Sequence, residues 1–196
     1  MRLRDYQIQC LEQTYDNIAI GKKRVKISIP PGSGKGNIIC ELILNYYKQG
    51  KTVLFVAHKT NLVAAENAIA DRLMETYRFS DFGLYLAGKK SAIKKVMLGT
   101  NKTVANRKVS NIDVMIIDES HRTKAPEYVD LIDKIKPDVL IGVTATPFRT
   151  KKGENFEDMF DVIVNPISTR KLIERKFLVP YKIICPQVDI DFTGIK

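Results

Sequence analysis

The chain has 196 residues, enough for one well-filled core and short of two full α/β domains at roughly 100–200 residues each. Apolar residues make up 44% of it without a long unbroken run, and the opening MRLRDYQ lacks the charged-then-apolar order of a signal peptide. Membrane spanning and export are therefore not expected, and a cytoplasmic or nuclear, reducing setting is. The formal charge of +10 is spread over small groups such as Lys22, Lys23, Arg24 and Lys26, or Arg149, Lys151 and Lys152. Such a surface attracts polyanions, although each group taken singly reads as a solvated face. Cys10, Cys40 and Cys185 are odd in number and far apart, which suits buried thiols and excludes a disulfide framework or a zinc cluster.

Six short segments rich in β-branched and aliphatic residues follow in chain order: VKISI (25–29), TVLFVA (52–57), GLYLA (83–87), KVML (95–98), DVMII (113–117) and DVLIGV (138–143). They are apolar on both faces, as strands of a covered parallel sheet are. Between them lie stretches with helical spacing: Ile38, Ile39, Leu42, Ile43 and Tyr46; Leu62, Ala65, Ile69 and Leu73; Tyr128, Leu131, Ile132 and Ile135. Pro126 and Pro137 bracket the last of these as a first-turn proline and a stop signal. The alternation predicts a doubly wound α/β fold, with helices on both faces of a mainly parallel sheet. We expect the α/β core to occupy 1–150. Beyond it, 151–196 would form an extension: the exposed loop KKGEN, a short helix over 169–176 and an extended edge stretch over 180–190.

Three segments carry chemistry. The first, IPPGSGKGN (29–37), follows a predicted strand and opens a predicted helix, the context in which a glycine-rich loop cradles phosphate. Pro31, Gly32, Ser33, Gly34, Lys35, Gly36 and Asn37 are its candidate binding residues, and Lys35 adds a point charge for β/γ-phosphates. The second, VMIIDESH (114–121), ends an apolar strand in two carboxylates, Asp118 and Glu119, at the carboxyl edge where ligands of α/β sheets bind. Successive residues at a strand end diverge, so one carboxylate is expected to hold Mg²⁺ and the other to reach a water beside the γ-phosphate. The third, VTATPFR (143–149), places Thr144, Ala145 and Thr146 where the two hydroxyls can sense the acidic strand end. His58 and His121 taken alone read as structural histidines, and Tyr46, Tyr47 and Phe55 stand at core spacing.

GSGKG, DESH and TATP, in this order and spacing, resemble motifs I, II and III of superfamily 2 helicases and translocases of the DExH branch. LRDYQ (3–7) resembles that group's adenine-reading Q motif, AHKTNLV (58–63 with the preceding alanine) its motif Ia, and GTNKTVAN (99–106) its next nucleic-acid motif. The ending KLIERKFLVPYKI is similar to the stretch after motif III in repair and branch-migration helicases and in the motor subunits of type I and type III restriction enzymes. The resemblance covers about residues 2 to 185.

It implies a RecA-like, ATP-binding P-loop domain. Gln7 would read adenine with Arg4 or Tyr6 beside the base, and Lys35 would hold the phosphates. Asp118 would position Mg²⁺, Glu119 would deprotonate the attacking water, and His121 would link the site to motif III. Single-stranded or branched DNA, ahead of RNA, would cross the opposite edge of the sheet and touch His58, Lys59, Asn61, Thr100 and Asn101. Two departures stand out. Members of this superfamily use a second RecA-like domain with arginine fingers, for which 196 residues leave no room, so the isolated domain is expected to turn over slowly. And Gly36 replaces the hydroxyl residue that ordinarily gives Mg²⁺ an inner-sphere oxygen, which a water would have to replace. The rival readings are a degenerate binding module that keeps nucleotide as a structural ligand, and the motor part of a restriction enzyme.

Overall fold

A computed structural model describes residues 2–88, 91–107, 109, 111–146 and 159–180. The PFR end of the third segment, the KKGEN loop, residues 181–190 of the extended stretch and Cys185 lie outside the described residues.

Seven strands form one sheet: β1 (Arg24–Ser28), β2 (Val53–Ala57), β3 (Phe82–Tyr85), β4 (Val96–Thr100), β5 (Val114–Asp118), β6 (Val139–Thr144) and β7 (Val162–Val164). Their order is β3-β4-β2-β5-β6-β1-β7, and every neighbouring pair is parallel. Six match the expected segments to within a few residues. The third is displaced: it pairs with β4 only over Phe82–Tyr85, and Gly88 then turns the chain with φ 72°. The seventh, β7, was not expected; it lies against β1 in register Val25↔Val162 to Ile27↔Val164.

Strand alternation splits the interior into two layers. Val53, Phe55, Val114, Ile116, Ile141 and Val143 face a cluster with Ile38, Leu42, Leu73 and Leu172. Leu54, Val56, Met115, Ile117 and Leu140 face a second cluster with Val104, Tyr128, Leu131, Ile132 and Ile135. Both faces of the sheet are therefore covered, which is why most of its strands carry no polar face; β1 departs from the expectation, with Lys26 and Ser28 buried on the face opposite Val25 and Ile27. Tyr46 and Phe55 lie in the core and Tyr47 packs partly against it, its hydroxyl donating to Asp81 at 2.7 Å.

The helices are α1 (Asp5–Ala19), α2 (Lys35–Lys48), α3 (Thr60–Ala64), α4 (Ile69–Asp71), α5 (Asn101–Ala105), α6 (Pro126–Ile135) and α7 (Thr169–Glu174). Helix α6 keeps its expected punctuation, with Pro126 in the first turn and Lys136 closing it in a left-handed conformation at φ 50°. Helix α1 lies outside the elements expected above. It buries Tyr6, Cys10, Leu11 and Thr14, one face at helical spacing. The helix expected through Leu62 and Leu73 is broken. Helix α3 ends at Ala64 with Ala65 extended, Asn67 is left-handed at φ 59°, and α4 runs into a wider π-helical turn over Arg72–Thr76. Hydrogen bonds hold the break: the Asn67 N–H donates to Asp71 Oδ2 at 2.9 Å and Arg72 Nε donates to the Asn67 carbonyl at 2.7 Å.

The part of the chain after 150 that is described packs on the sheet rather than extending from it. Ser168 Oγ caps α7 by accepting the Lys171 N–H at 3.3 Å, and Leu172 is fully buried. The N–H groups of Phe177 and Leu178 both return to the Leu172 carbonyl, which turns the tail toward the start of α1. No helix among the described residues is long and apolar enough to cross a membrane.

Candidate active site

Parallel strands put all seven carboxyl ends on one rim, and three neighbours, β5, β6 and β1, bring the three chemical segments together there. The loop after β1 bends through two left-handed glycines, Gly32 at φ 75° and Gly34 at φ 83°, before α2 begins at Lys35. These conformations favour glycine, and space enforces the choice. A Cβ on Gly32 would lie 2.8 Å from Leu178 Cδ2, and one on Gly34 would collide with the Gln7 amide.

Helix α1 pins the loop from outside. Tyr6 donates its hydroxyl hydrogen to the Ser33 carbonyl at 2.8 Å, and Gln7 Nε2 donates to the same oxygen at 2.9 Å. The other end of that amide accepts the Arg4 N–H at 2.9 Å, closing the first turn of α1. Tyr6 is 1% exposed and stacks edge-on with Phe177, so its ring offers no face to a base. The exposed member of this group is Arg4, whose guanidinium lies 4.4 Å from the centre of the Phe177 ring. Phe177, partly exposed beside Arg4, is a neighbour of the loop that sequence reasoning missed; its signal was an aromatic in an otherwise charged stretch, ERKF. Within the loop Ser33 is buried and donates to the Pro30 carbonyl, so its hydroxyl serves the turn itself.

Strand β5 ends at Asp118, and the next residue, Glu119, is left-handed at φ 54°, ψ 48°. That turn brings both carboxylates to the same cation rather than letting them diverge. Lys35 Nζ lies 2.8 Å from Asp118 Oδ1 and 2.7 Å from Glu119 Oε1. Burial by itself would lower the Lys35 ammonium; Asp118 and then Glu119 reverse this and hold it above its ordinary value. Burial likewise opposes ionisation of Glu119, but the hydrogen bond and charge of Lys35, then His121 and His58, outweigh it and keep the carboxyl below its ordinary 4.5.

A second network runs from Glu119 to β6. His121 Nδ1 is 3.2 Å from Glu119 Oε2, 3.2 Å from Thr144 Oγ1 and 3.2 Å from Thr146 Oγ1. Thr144 Oγ1 also accepts the Thr146 N–H at 3.1 Å, so the β6 exit is folded around this hydroxyl. Ala145, between them, is half-buried at the strand exit.

The residues expected to touch nucleic acid stand on the same rim, not the opposite edge. Ala57 pairs with Thr100 in parallel register, so His58 and Asn101 leave adjacent strands side by side, three and four places along the sheet from β1 and its phosphate loop. In a fully parallel sheet the opposite rim carries only amino ends. Lys59 and Asn61 are exposed, whereas Thr100 and Asn101 are buried, with Thr100 Oγ1 2.9 Å from Thr103 Oγ1. His58 is half-buried with Nδ1 unpartnered; burial first, then the charges of Arg122 and Lys59, push its pKa down from 6.5.

The loop fits a nucleoside triphosphate: two glycine conformations, a helix start and a lysine converge at one point, with carboxylates across from it. For a divalent cation the donor set is thinner, since Asp118 and Glu119 are present while Gly36 offers no side-chain oxygen.

Fold and site together define the N-terminal RecA-like domain of a superfamily 2 helicase or translocase. Residues 1–149 match the sequence profile described as "Type III restriction enzyme, res subunit", and the chain belongs to that family. It is 28% identical over 210 aligned residues to the Type I restriction enzyme EcoAI endonuclease subunit of Escherichia coli, covering 97% of this chain and 25% of that one. Among solved structures, the UvsW helicase of bacteriophage T4 superposes with a TM-score of 0.66 at 19% identity, covering 85% of this chain and 61% of the other. The SWI2/SNF2 ATPase core of Sulfolobus solfataricus gives a TM-score of 0.66 at 18% identity, over 81% and 35% of the two chains. The chain thus spans a quarter of the length of its restriction-enzyme relative.

Proposed function

We propose that the chain is the ATP-binding half of a motor that couples ATP hydrolysis to movement on or remodelling of DNA. The observation that carries this reading is the meeting of Lys35 with Asp118 and Glu119 at 2.8 and 2.7 Å beside a loop that bends through two left-handed glycines into the start of α2. Phosphate oxygens would compete for Lys35 Nζ and release the two carboxylates for separate work. Asp118 would hold Mg²⁺, with water at the place where position 36 lacks a hydroxyl, and the cation would neutralise charge on the transferred phosphoryl group. Glu119, kept ionised, would accept the proton of the attacking water. His121 would pass the change at Glu119 to Thr144 and Thr146. Arg4, stacked on Phe177, is the group best placed beside a base, with Gln7 holding the loop.

DNA as the partner is supported by the basic surface and by the neighbours. The Sulfolobus structure is a complex with dsDNA, and an ATP-dependent Type ISP restriction-modification enzyme of the same fold is bound to DNA. Lys59 and Asn61 would meet the DNA backbone next to the nucleotide site. A second RecA-like domain would supply arginine fingers and the rest of the track. Hydrolysis by the full-length protein, with and without single-stranded and branched DNA, tests this reading. DNA-stimulated turnover that Glu119→Gln lowers at least 100-fold while ATP binding persists is the expected outcome. Absence of hydrolysis in the unchanged protein, with DNA still bound, would instead support a non-hydrolysing binding module.

A further inference from the structure

The break between α3 and α4 places a cation where the missing hydroxyl would stand. Arg72 reaches back over Gly36: a Cβ at position 36 would lie 3.0 Å from Arg72 Nε and 3.1 Å from its Cδ. The side chain is held on two sides. Nε donates to the Asn67 carbonyl at 2.7 Å, and Nη1 donates to Asn37 Oδ1 at 3.2 Å, one residue beyond Gly36. Among the described residues no carboxylate lies within ion-pair distance of the guanidinium. It lines a cavity of about 230 Å³ whose walls also include Lys35, Gly36, Glu66, Asn67 and Asp118. Lys35, by contrast, is already paired with both catalytic carboxylates. Among the described residues, Arg72 is therefore a positive charge at this loop with no carboxylate in ion-pair contact, and it is anchored rather than free to swing.

We propose that Arg72 is a phosphate-binding residue that takes over, at position 36, part of the charge neutralisation a hydroxyl-ligated metal ion would supply. This inference rests on the ATP reading above. A guanidinium presents several N–H donors in a plane, and two of them are committed to Asn67 and Asn37, so others remain to meet β/γ-phosphate oxygens. Glycine at 36 is what makes room for it, because any larger side chain there presses on the Arg72 stem. Glycine and arginine then act as a pair: the loop loses a metal ligand and gains a fixed cation. The consequence is a grip on the triphosphate that depends less on the divalent ion than in loops carrying a hydroxyl.

The test is binding of a fluorescent ATP analogue to the full chain, in Mg²⁺ and in EDTA, for the unchanged protein and for Arg72→Gln, Arg72→Lys and Lys35→Ala. Charge-assisted hydrogen bonds of this kind correspond to about tenfold in affinity or more. Arg72→Gln keeps amide donors for Asn67 but no charge, and should weaken binding in EDTA about tenfold, while Arg72→Lys, which keeps the charge and loses the planar fork, should fall between Arg72→Gln and the unchanged chain. Adding Gly36→Thr to Arg72→Gln should restore affinity in Mg²⁺ and not in EDTA. Equal affinities for Arg72→Gln and the unchanged chain, with Lys35→Ala losing binding, would overturn the role of Arg72 and leave the ATP site intact. A loss in Arg72→Lys as large as in Arg72→Gln would overturn charge neutralisation as the role of Arg72. Undiminished binding by Lys35→Ala would remove the ATP reading itself. If Arg72→Gln does not fold, arginine modification of the unchanged chain decides: protection of Arg72 by ATP in EDTA supports the proposal, and equal modification with and without ATP overturns it.

Discussion

Glu119 sits in a backbone conformation that a residue with a Cβ occupies at a cost on the order of 1–3 kcal/mol, and it does so at the end of a fully buried strand. The turn has a chemical effect: it folds the second carboxylate back beside the first, within reach of Lys35 and His121. The pH behaviour follows in sign. The folded chain holds the Glu119 carboxyl below 4.5, so it binds fewer protons there than the unfolded chain does. The resulting stabilisation is complete above 4.5 and is lost as pH falls through the lowered value. In a profile of melting temperature against pH, the unchanged protein should therefore fall more steeply below pH 4.5 than Glu119→Gln. Parallel profiles would show that the pair with Lys35 contributes nothing measurable. Residue identity made Lys35, Asp118, Glu119 and His121 legible in the sequence, because each stands in a short local pattern. The same patterns were silent on Arg72, which meets Gly36 only through the fold.

At the scale of elements, what was legible is what depends on neighbours in the chain. Strands apolar on both faces declared a covered parallel sheet, and Pro126 and Pro137 bracketed α6 correctly. Illegible were contacts between distant segments: α1 reaching the phosphate loop through Tyr6 and Gln7, β7 closing the sheet beside β1, and the break at 65–68 that interrupts a sound helical period. That break is stabilised by the left-handed Asn67 and its hydrogen bonds, features that periodicity does not register. Helix α7 gives a direct test of the return path. Leu172 is fully buried, and Leu178 presses on Gly32. Leu172→Ala should cost about 2–5 kcal/mol in urea unfolding, and hydrogen exchange over 169–178 should speed up more than over β5. Uniform loss of protection across both would mean that α7 folds only with the whole sheet.

The molecule as a whole has one working rim. The residues proposed to bind nucleotide occupy the ends of β1, β5 and β6, and those proposed to touch DNA leave β2 and β4 on that same side. By the proposed reading, a change at the phosphate loop would reach the polymer track sideways along that rim, past the ends of β6 and β5. With a charge of +10, DNA binding should obey counterion release. A plot of log affinity against log salt should fall linearly, with a slope of about −0.7 per single-strand phosphate neutralised. Lys59→Ala should reduce that slope by about one contact, whatever the sequence bound. A salt-independent affinity would rule out phosphate contacts as its source. The other rim, where Asp113 receives the Thr52 N–H and Lys51, and where exposed Asp138 opens β6, carries none of the proposed chemistry. A strand of this length separates it from the site by roughly 15 Å. That makes it a handle: a dye or a surface tether fixed at Asp138 would hold the protein from behind, leaving the opposite side open for DNA to be drawn past and watched.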